Sequence, residues 1–204
     1  MAKRPDAEWR VIVAALTLAE SQGWRRTGLA AIAAKAGLSL AETHALFPAK
    51  LAILDGFARR MDRAVLEGGA ANGEDETVRD RLFELLMRRF EAMRPYRAGL
   101  KAVLRDTVLV DPLASLCALD NLRRSMVCTL EAACIPAGGL AGRLRAKCLG
   151  LVFLLALRVW LGDKSEDMAP TMAALDRGLA RAERLACRGR PSRPKPTVPV
   201  AEKA

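Results

Sequence analysis

The chain has 204 residues, enough for one compact unit or for a small head on a larger body. Apolar residues make up 51% of it but aromatics only 4%, so Ala, Leu and Val must fill the core, and such a composition favours helix over sheet. The net charge of +10 gathers at the ends: residues 1–60 hold nine Lys/Arg against five Asp/Glu, residues 61–184 nineteen against seventeen, and residues 185–204 five against one.

Basic ends suit a polyanion such as DNA, and equally a plain basic tail. The opening Met-Ala-Lys-Arg-Pro-Asp lacks an apolar signal core. The longest apolar run, Cys148 to Leu157, falls well short of the roughly 20 residues that span a bilayer. A cytoplasmic chain with no transmembrane segment is expected. Cys117, Cys128, Cys134, Cys148 and Cys187 form no CxxC pair, and most lie in apolar helical stretches. Reduced core thiols are expected, with a redox switch near Cys128 and Cys134 as the alternative.

In chain order, breakers mark off nine helical stretches and predict an all-α fold. The first covers about residues 6–21, with Val11, Ile12, Ala15, Leu16 and Ala19 at helical spacing, and Gly23 ends it. Residues 29–36 form a short second helix stopping at Gly37, and residues 39–47 a third stopping at Pro48. A fourth runs over 49–67 to Gly68-Gly69. Residues 76–93, 96–110, 113–134, 140–161 and 168–188 supply the rest. The Pro-rich basic segment that follows is too poor in apolar residues to pack.

The short second and third helices, joined by Gly37-Leu38, have the spacing of a helix-turn-helix. Ala33, Ala34 and Ala36 permit close contact and Gly37 permits the turn. An alanine-rich hairpin without further role would share that spacing. Gly23-Trp24, Ile32-Ala33, Ala36-Gly37-Leu38-Ser39 and Phe47-Pro48-Ala49-Lys50 together resemble the N-terminal signature of TetR-family transcriptional regulators. The resemblance is specific over about residues 9–55 and architectural beyond. It implies a TetR-like fold with a three-helix DNA-binding head and a six-helix ligand and dimerisation body. The expected division is 1–48 for the head, 49–187 for the body and 188–204 for a basic tail.

What the resemblance implies is a ligand-responsive regulator, binding double-stranded operator DNA as a homodimer with an affinity that a small apolar effector changes. Carried over by position, Thr27 and Lys50 would touch phosphates, and the Ser39 to His44 face, with Leu40 and Thr43, would read bases. Arg25 and Arg26 would add phosphate contacts from the flank. The sequence also departs from the family pattern. His44 stands where the family usually has a tyrosine, Gly28 where a threonine usually caps the second helix, and Glu42 where a small hydroxyl residue is common. Thr27 is expected to replace the missing cap. Ser39-Leu40-Ala41-Glu42 is itself a capping box, which accounts for Glu42. Between Ser39 and Phe47 there is no Lys or Arg.

A second stretch, Val159-Trp160-Leu161-Gly162-Asp163-Lys164-Ser165-Glu166-Asp167 followed by Thr171, Leu175 and Leu179, is similar to the C-terminal signature of the ubiquinone-biosynthesis accessory protein, the ninth Coq protein. That resemblance implies a TetR-fold isoprenoid-binding protein that does not bind DNA. The physical alternative is a plain turn between two helices, with Ser165 capping the second.

The helix over residues 140–161 is apolar nearly all round, so it is buried in a core or against a second subunit. By the TetR resemblance, Leu151, Leu154 and Leu155 with Met172, Leu175 and Leu179 would form the dimer interface. Phe83, Met87, Phe90, Met126 and Trp160 would line an apolar effector pocket, or simply fill the core. Arg188-Gly189-Arg190-Pro191 resembles a minor-groove AT-hook, where Arg188 and Arg190 would enter an A·T tract. His44 is the only histidine. A metal site and a Ser/His/Asp triad therefore lack support, and no cofactor or enzymatic activity is expected.

Overall fold

In the computed structural model, residues 4–68, 76–107 and 112–188 are described. They form nine α-helices and a 3-10 turn: α1 (Arg4–Gln22), α2 (Leu29–Ala36), α3 (Leu40–Leu46), α4 (Lys50–Glu67), α5 (Val78–Met93), a 3-10 turn over Arg94–Tyr96, α6 (Arg97–Thr107), α7 (Pro112–Ala132), α8 (Gly139–Trp160) and α9 (Ala169–Arg188). The all-α prediction holds, with helix ends within a few residues of those expected. Arg190 and the rest of the tail lie outside the described residues, as does the Arg188 side chain. No helix among the described residues is long and apolar enough to cross a membrane.

One apolar core runs through head and body. It joins Val11, Ala15 and Ile32 of the first helices to Phe57, Met87 and Phe90, and on to Phe153, Trp160 and Leu175. Burying Leu- or Phe-sized side chains stabilises the fold by roughly 1.5–3 kcal/mol each, so this continuity ties the small head to the body. α1 and α6 approach each other closely. A Cβ at Gly99 would sit 2.5 Å from the Leu16 carbonyl oxygen, so only a glycine lets the two backbones touch there.

The residues expected to line an effector pocket fill this core instead. Met87, Phe90, Met126 and Trp160 are buried and Phe83 packs against them half-buried. Phe90 stacks on Phe153 with ring centroids 5.1 Å apart, and Trp160 closes the group at 5.7 Å from Phe90.

The two faces of α8 separate cleanly. Leu149, Val152, Phe153, Ala156 and Trp160 point into the core. Leu140, Leu144, Leu151, Leu154, Leu155 and Val159 are exposed. The expected interface residues Leu151, Leu154 and Leu155 therefore present an open apolar stripe. Leu175 and Leu179 correct the expectation: they are 0% and 4% exposed within a single chain, and Met172 is half-buried. They hold α9 to its own protomer, where Gly178 lets Val152 approach closely. The cysteines correct it too: Cys117, Cys134 and Cys148 are exposed and Cys128 is half-buried, while the Cys187 side chain lies outside the described residues. Burial pushes the Cys128 thiol up, which disfavours its thiolate.

Candidate nucleic-acid interface

The turn between α2 and α3 is built from local chemistry. Gly37 ends α2 in the left-handed conformation, φ 67° and ψ 39°, and its N–H returns to the α2 carbonyls of Ala33 and Ala34. Ser39 then caps α3: its Oγ accepts from the Glu42 N–H, while the Glu42 carboxylate accepts from the Ser39 N–H at 2.8 Å and its hydroxyl at 2.7 Å. Those bonds, first the Ser39 hydroxyl and then its N–H, hold the Glu42 carboxyl below the usual range, so α3 keeps a negative charge at its start. From behind, the Arg10 guanidinium of α1 donates to the Ala36 and Gly37 carbonyls that the end of α2 leaves open. The spacing argument did not find Arg10, because its partner carbonyls lie in another helix.

Several expected contacts with DNA are spent inside the head. Thr27 is 1% exposed, and its hydroxyl donates to the Gly23 carbonyl at 2.9 Å. It neither faces outward nor caps α2, whose N-cap Gly28 makes no side-chain bond. Thr43 is 0% exposed, with its hydroxyl on the Ser39 carbonyl at 3.0 Å. Lys50 reaches back from α4 to donate to the Trp24 and Thr27 carbonyls at 2.8 and 2.7 Å, with its ammonium 4.7 Å from the Trp24 ring centre. Burial lowers its pKa, against the pull of Asp106. Lys50 is a staple for the α1–α2 turn. The Ser39 side chain is likewise engaged in its cap.

What remains outward on α3 is Leu40, Ala41, Glu42, His44 and Ala45. Arg25 and Arg26 stand exposed on the α1–α2 turn and Lys35 on α2. The head thus offers a neutral-to-negative reading helix flanked by a few free cations.

Behind that turn, α6 grips the head a second time. The Asp106 carboxylate accepts from the Arg25 N–H at 3.3 Å and from Arg105 Nε at 3.1 Å. The Arg25 amide is the main reason its pKa lies below the usual carboxylate range.

At the other end of α6, the Trp160–Asp167 stretch makes a corner between α8 and α9. Asp163, 5% exposed, accepts from the Ser165 N–H and hydroxyl with one oxygen and from those of Thr171 with the other. Arg97 donates to the Asp163 carbonyl and lies over the Trp160 ring. Ser165 therefore serves the turn and not the helix start. Asp167 accepts there from the Ala169 N–H. These contacts account for Trp160, Asp163, Ser165, Asp167 and Thr171 among the residues that carried the second resemblance.

A helix-turn-helix head on an all-helical body defines the class of fold, and comparison with solved structures gives it a name. The chain has the fold of TetR transcriptional regulators. A TetR regulator from Nitrosomonas europaea superposes with a TM-score of 0.70 at 24% identity, over 86% of this chain and 97% of that one. One from Rhodococcus sp. RHA1 gives 0.62 at 18%, over 88% and 96%. Thermus thermophilus FadR, a TetR-family repressor in complex with lauroyl-CoA, gives 0.54 at 20%, over 94% and 98%. No family model matches the sequence, and no curated protein does.

Proposed function

We propose that this protein is a TetR-type transcriptional regulator acting in the cytoplasm, a homodimer that binds operator DNA and is not an enzyme. The observation that supports it best is the rear-anchored turn: Arg10 and Lys50 fix the helix pair from inside and leave the outer face of α3 open. In this reading Leu40 meets a thymine methyl group, His44 bonds a base edge, and Arg25, Arg26 and Lys35 hold phosphates. Residues 1–48 act as the reading head, residues 49–187 as the body and residues 188–204 as a basic tail, with Arg188 and Arg190 available to a minor groove.

The exposed stripe of α8, Leu140, Leu144, Leu151, Leu155 and Val159, would be covered by its symmetry mate, with Leu185 of α9 beside it. A small apolar effector would enter among Met87, Phe90, Met126 and Trp160 by parting a core that is closed in this conformation. It would act by binding the parted state better than the DNA-competent one. Movement of α6 would carry the head, since Gly99 and Asp106 join that helix to α1 and to the turn after it.

The test is a gel shift of the full chain against its own upstream region at several salt concentrations. Specific retardation that weakens steeply with salt is expected. No retardation of any duplex at low salt would overturn the reading. Leu151→Asp should give a monomer by light scattering and lose the shift with it.

A further inference from the structure

The internal use of Thr27, Thr43 and Lys50 leaves the head with few free cations, yet the body supplies more beside it. Two open clefts, about 800 and 390 Å³, share Glu20 as a common wall. The first is lined by Arg25 and Arg26 of the head turn with Arg105 and Asp106 of α6. The second carries Arg94 of the 3-10 turn, Arg97 and Lys101 of α6, and Asp163 and Lys164 from the α8–α9 corner. Residues 97, 101 and 105 repeat every fourth position and so share one face of the helix, each about 6 Å beyond the last along its axis.

The clefts thus form one strip in which seven cations face three carboxylates. Two of those carboxylates are already satisfied: Asp106 by the Arg25 amide and Arg105, Asp163 by Ser165 and Thr171. Arg97 is committed to the corner. Arg25, Arg26, Arg94, Lys101 and Lys164 are exposed, and among the described residues no carboxylate forms an ion pair with the side-chain nitrogens of any of them. An exposed strip with this excess attracts a polyanion, and its linear layout suits a chain of phosphates better than one compact anion.

We propose that the phosphate-binding surface of this protein extends from the head onto the body, with Lys101 and Arg105 of α6 holding the DNA backbone that flanks the half-site read by α3. The proposal rests on the DNA-binding reading above and adds to it a contact made by the body. Because α6 also carries Gly99 and Asp106, a DNA contact there would sense the position of the helix that joins body to head.

The test measures binding of the full chain to a mixed-sequence duplex of roughly 40 bp by fluorescence anisotropy over a range of KCl. Lys101→Ala/Arg105→Ala should weaken binding roughly tenfold at low salt and reduce the log–log salt slope by about 2. Arg63→Ala/Arg143→Ala removes equal charge from exposed sites outside the strip, and should leave the slope unchanged. Equal slopes for the wild type and the Lys101/Arg105 variant, with binding intact, would overturn the strip while sparing the DNA reading. No binding by the wild type would overturn both. A third arm titrates pyrophosphate and follows Tm. A rise in Tm lost in the Lys101/Arg105 variant, with the duplex slope unchanged, would make this a small-anion site and overturn the proposal.

Discussion

Two turns in this molecule solve the same problem in opposite ways. Each joins a pair of helices at an angle, and each must satisfy the polar groups that helix ends leave open. Between α8 and α9 the answer is a buried carboxylate: Asp163 takes four hydrogen bonds and is sealed beneath Arg97 and Trp160. Between α2 and α3 the answer is a backbone turn at Gly37, an exposed Ser39–Glu42 cap, and Arg10 reaching in from the far side. The first turns its polar atoms inward and gains rigidity. The second keeps its support behind it and its outer face free, as a surface meant for a partner requires.

The largest effect should come from the buried corner. Asp163→Ala leaves the N–H and hydroxyl of both Ser165 and Thr171 without their acceptor, at a cost of about 3 kcal/mol in urea denaturation. Burial alone would raise the Asp163 pKa, but the bonds from Ser165 and Thr171 outweigh it and hold the carboxyl at about 2, below the ordinary 3.8. The folded pKa is thus the lower one, and between those values the unfolded chain binds more protons. Stability from this group is full above the ordinary value and falls as pH drops towards 2, by no more than about 2.5 kcal/mol. A urea midpoint that declines between pH 4 and 2.5 in the wild type should decline less in Asp163→Asn. Equal pH profiles would show that the corner is held by packing and not by its carboxylate.

A smaller effect tests the rear support of the other turn. Arg10→Met keeps the apolar stem and removes the bonds to Ala36 and Gly37, so it should cost about 1–2 kcal/mol. Duplex binding should weaken by more than the loss of folded protein explains, because α3 loses its fixed angle to α2. If affinity per folded molecule is unchanged, Arg10 is a stabilising contact alone, and the two turns are alike in purpose.

The parts of this picture that were legible in the sequence are those decided within a few residues. The bounds of α2, the left-handed Gly37 and the Ser39–Glu42 cap each depend on near neighbours, and each appears where the sequence puts it. Thr27, Thr43 and Lys50 turn inward, against expectation, because their partners are carbonyls, which any sequence supplies everywhere. Only the fold shows that the Lys50 ammonium ends on the Trp24 and Thr27 carbonyls. Leu175 and Leu179 fail for another reason: the apolar stripe of α9 marks a face that must be buried but not which chain buries it, and here their own protomer does. Arg97, Lys101 and Arg105 stand four residues apart in the sequence, but that spacing gains meaning only with α6 lying beside the Arg25–Arg26 turn.

The smallest effect on stability bears most directly on the open face of α3. Glu42→Gln keeps an oxygen that can accept from the Ser39 N–H, so the capping box survives and the cost should stay within about 0.5 kcal/mol. Ser39→Ala, which removes the cap itself, should cost about 1 kcal/mol. The two variants should therefore differ in the opposite sense on DNA. Glu42 is held ionised by Ser39, and it stands at the end of α3 that a major groove would receive first. Replacing it by the neutral amide removes a repulsion from phosphate, so Glu42→Gln should bind a duplex several-fold more tightly in anisotropy at low salt, with the gain shrinking as salt rises. Ser39→Ala should bind more weakly, because the charge stays and the helix start frays. If Glu42→Gln and the wild type bind alike at every salt concentration, the exposed face of α3 does not lie against the duplex. The free outer surface of that turn would then serve something other than DNA.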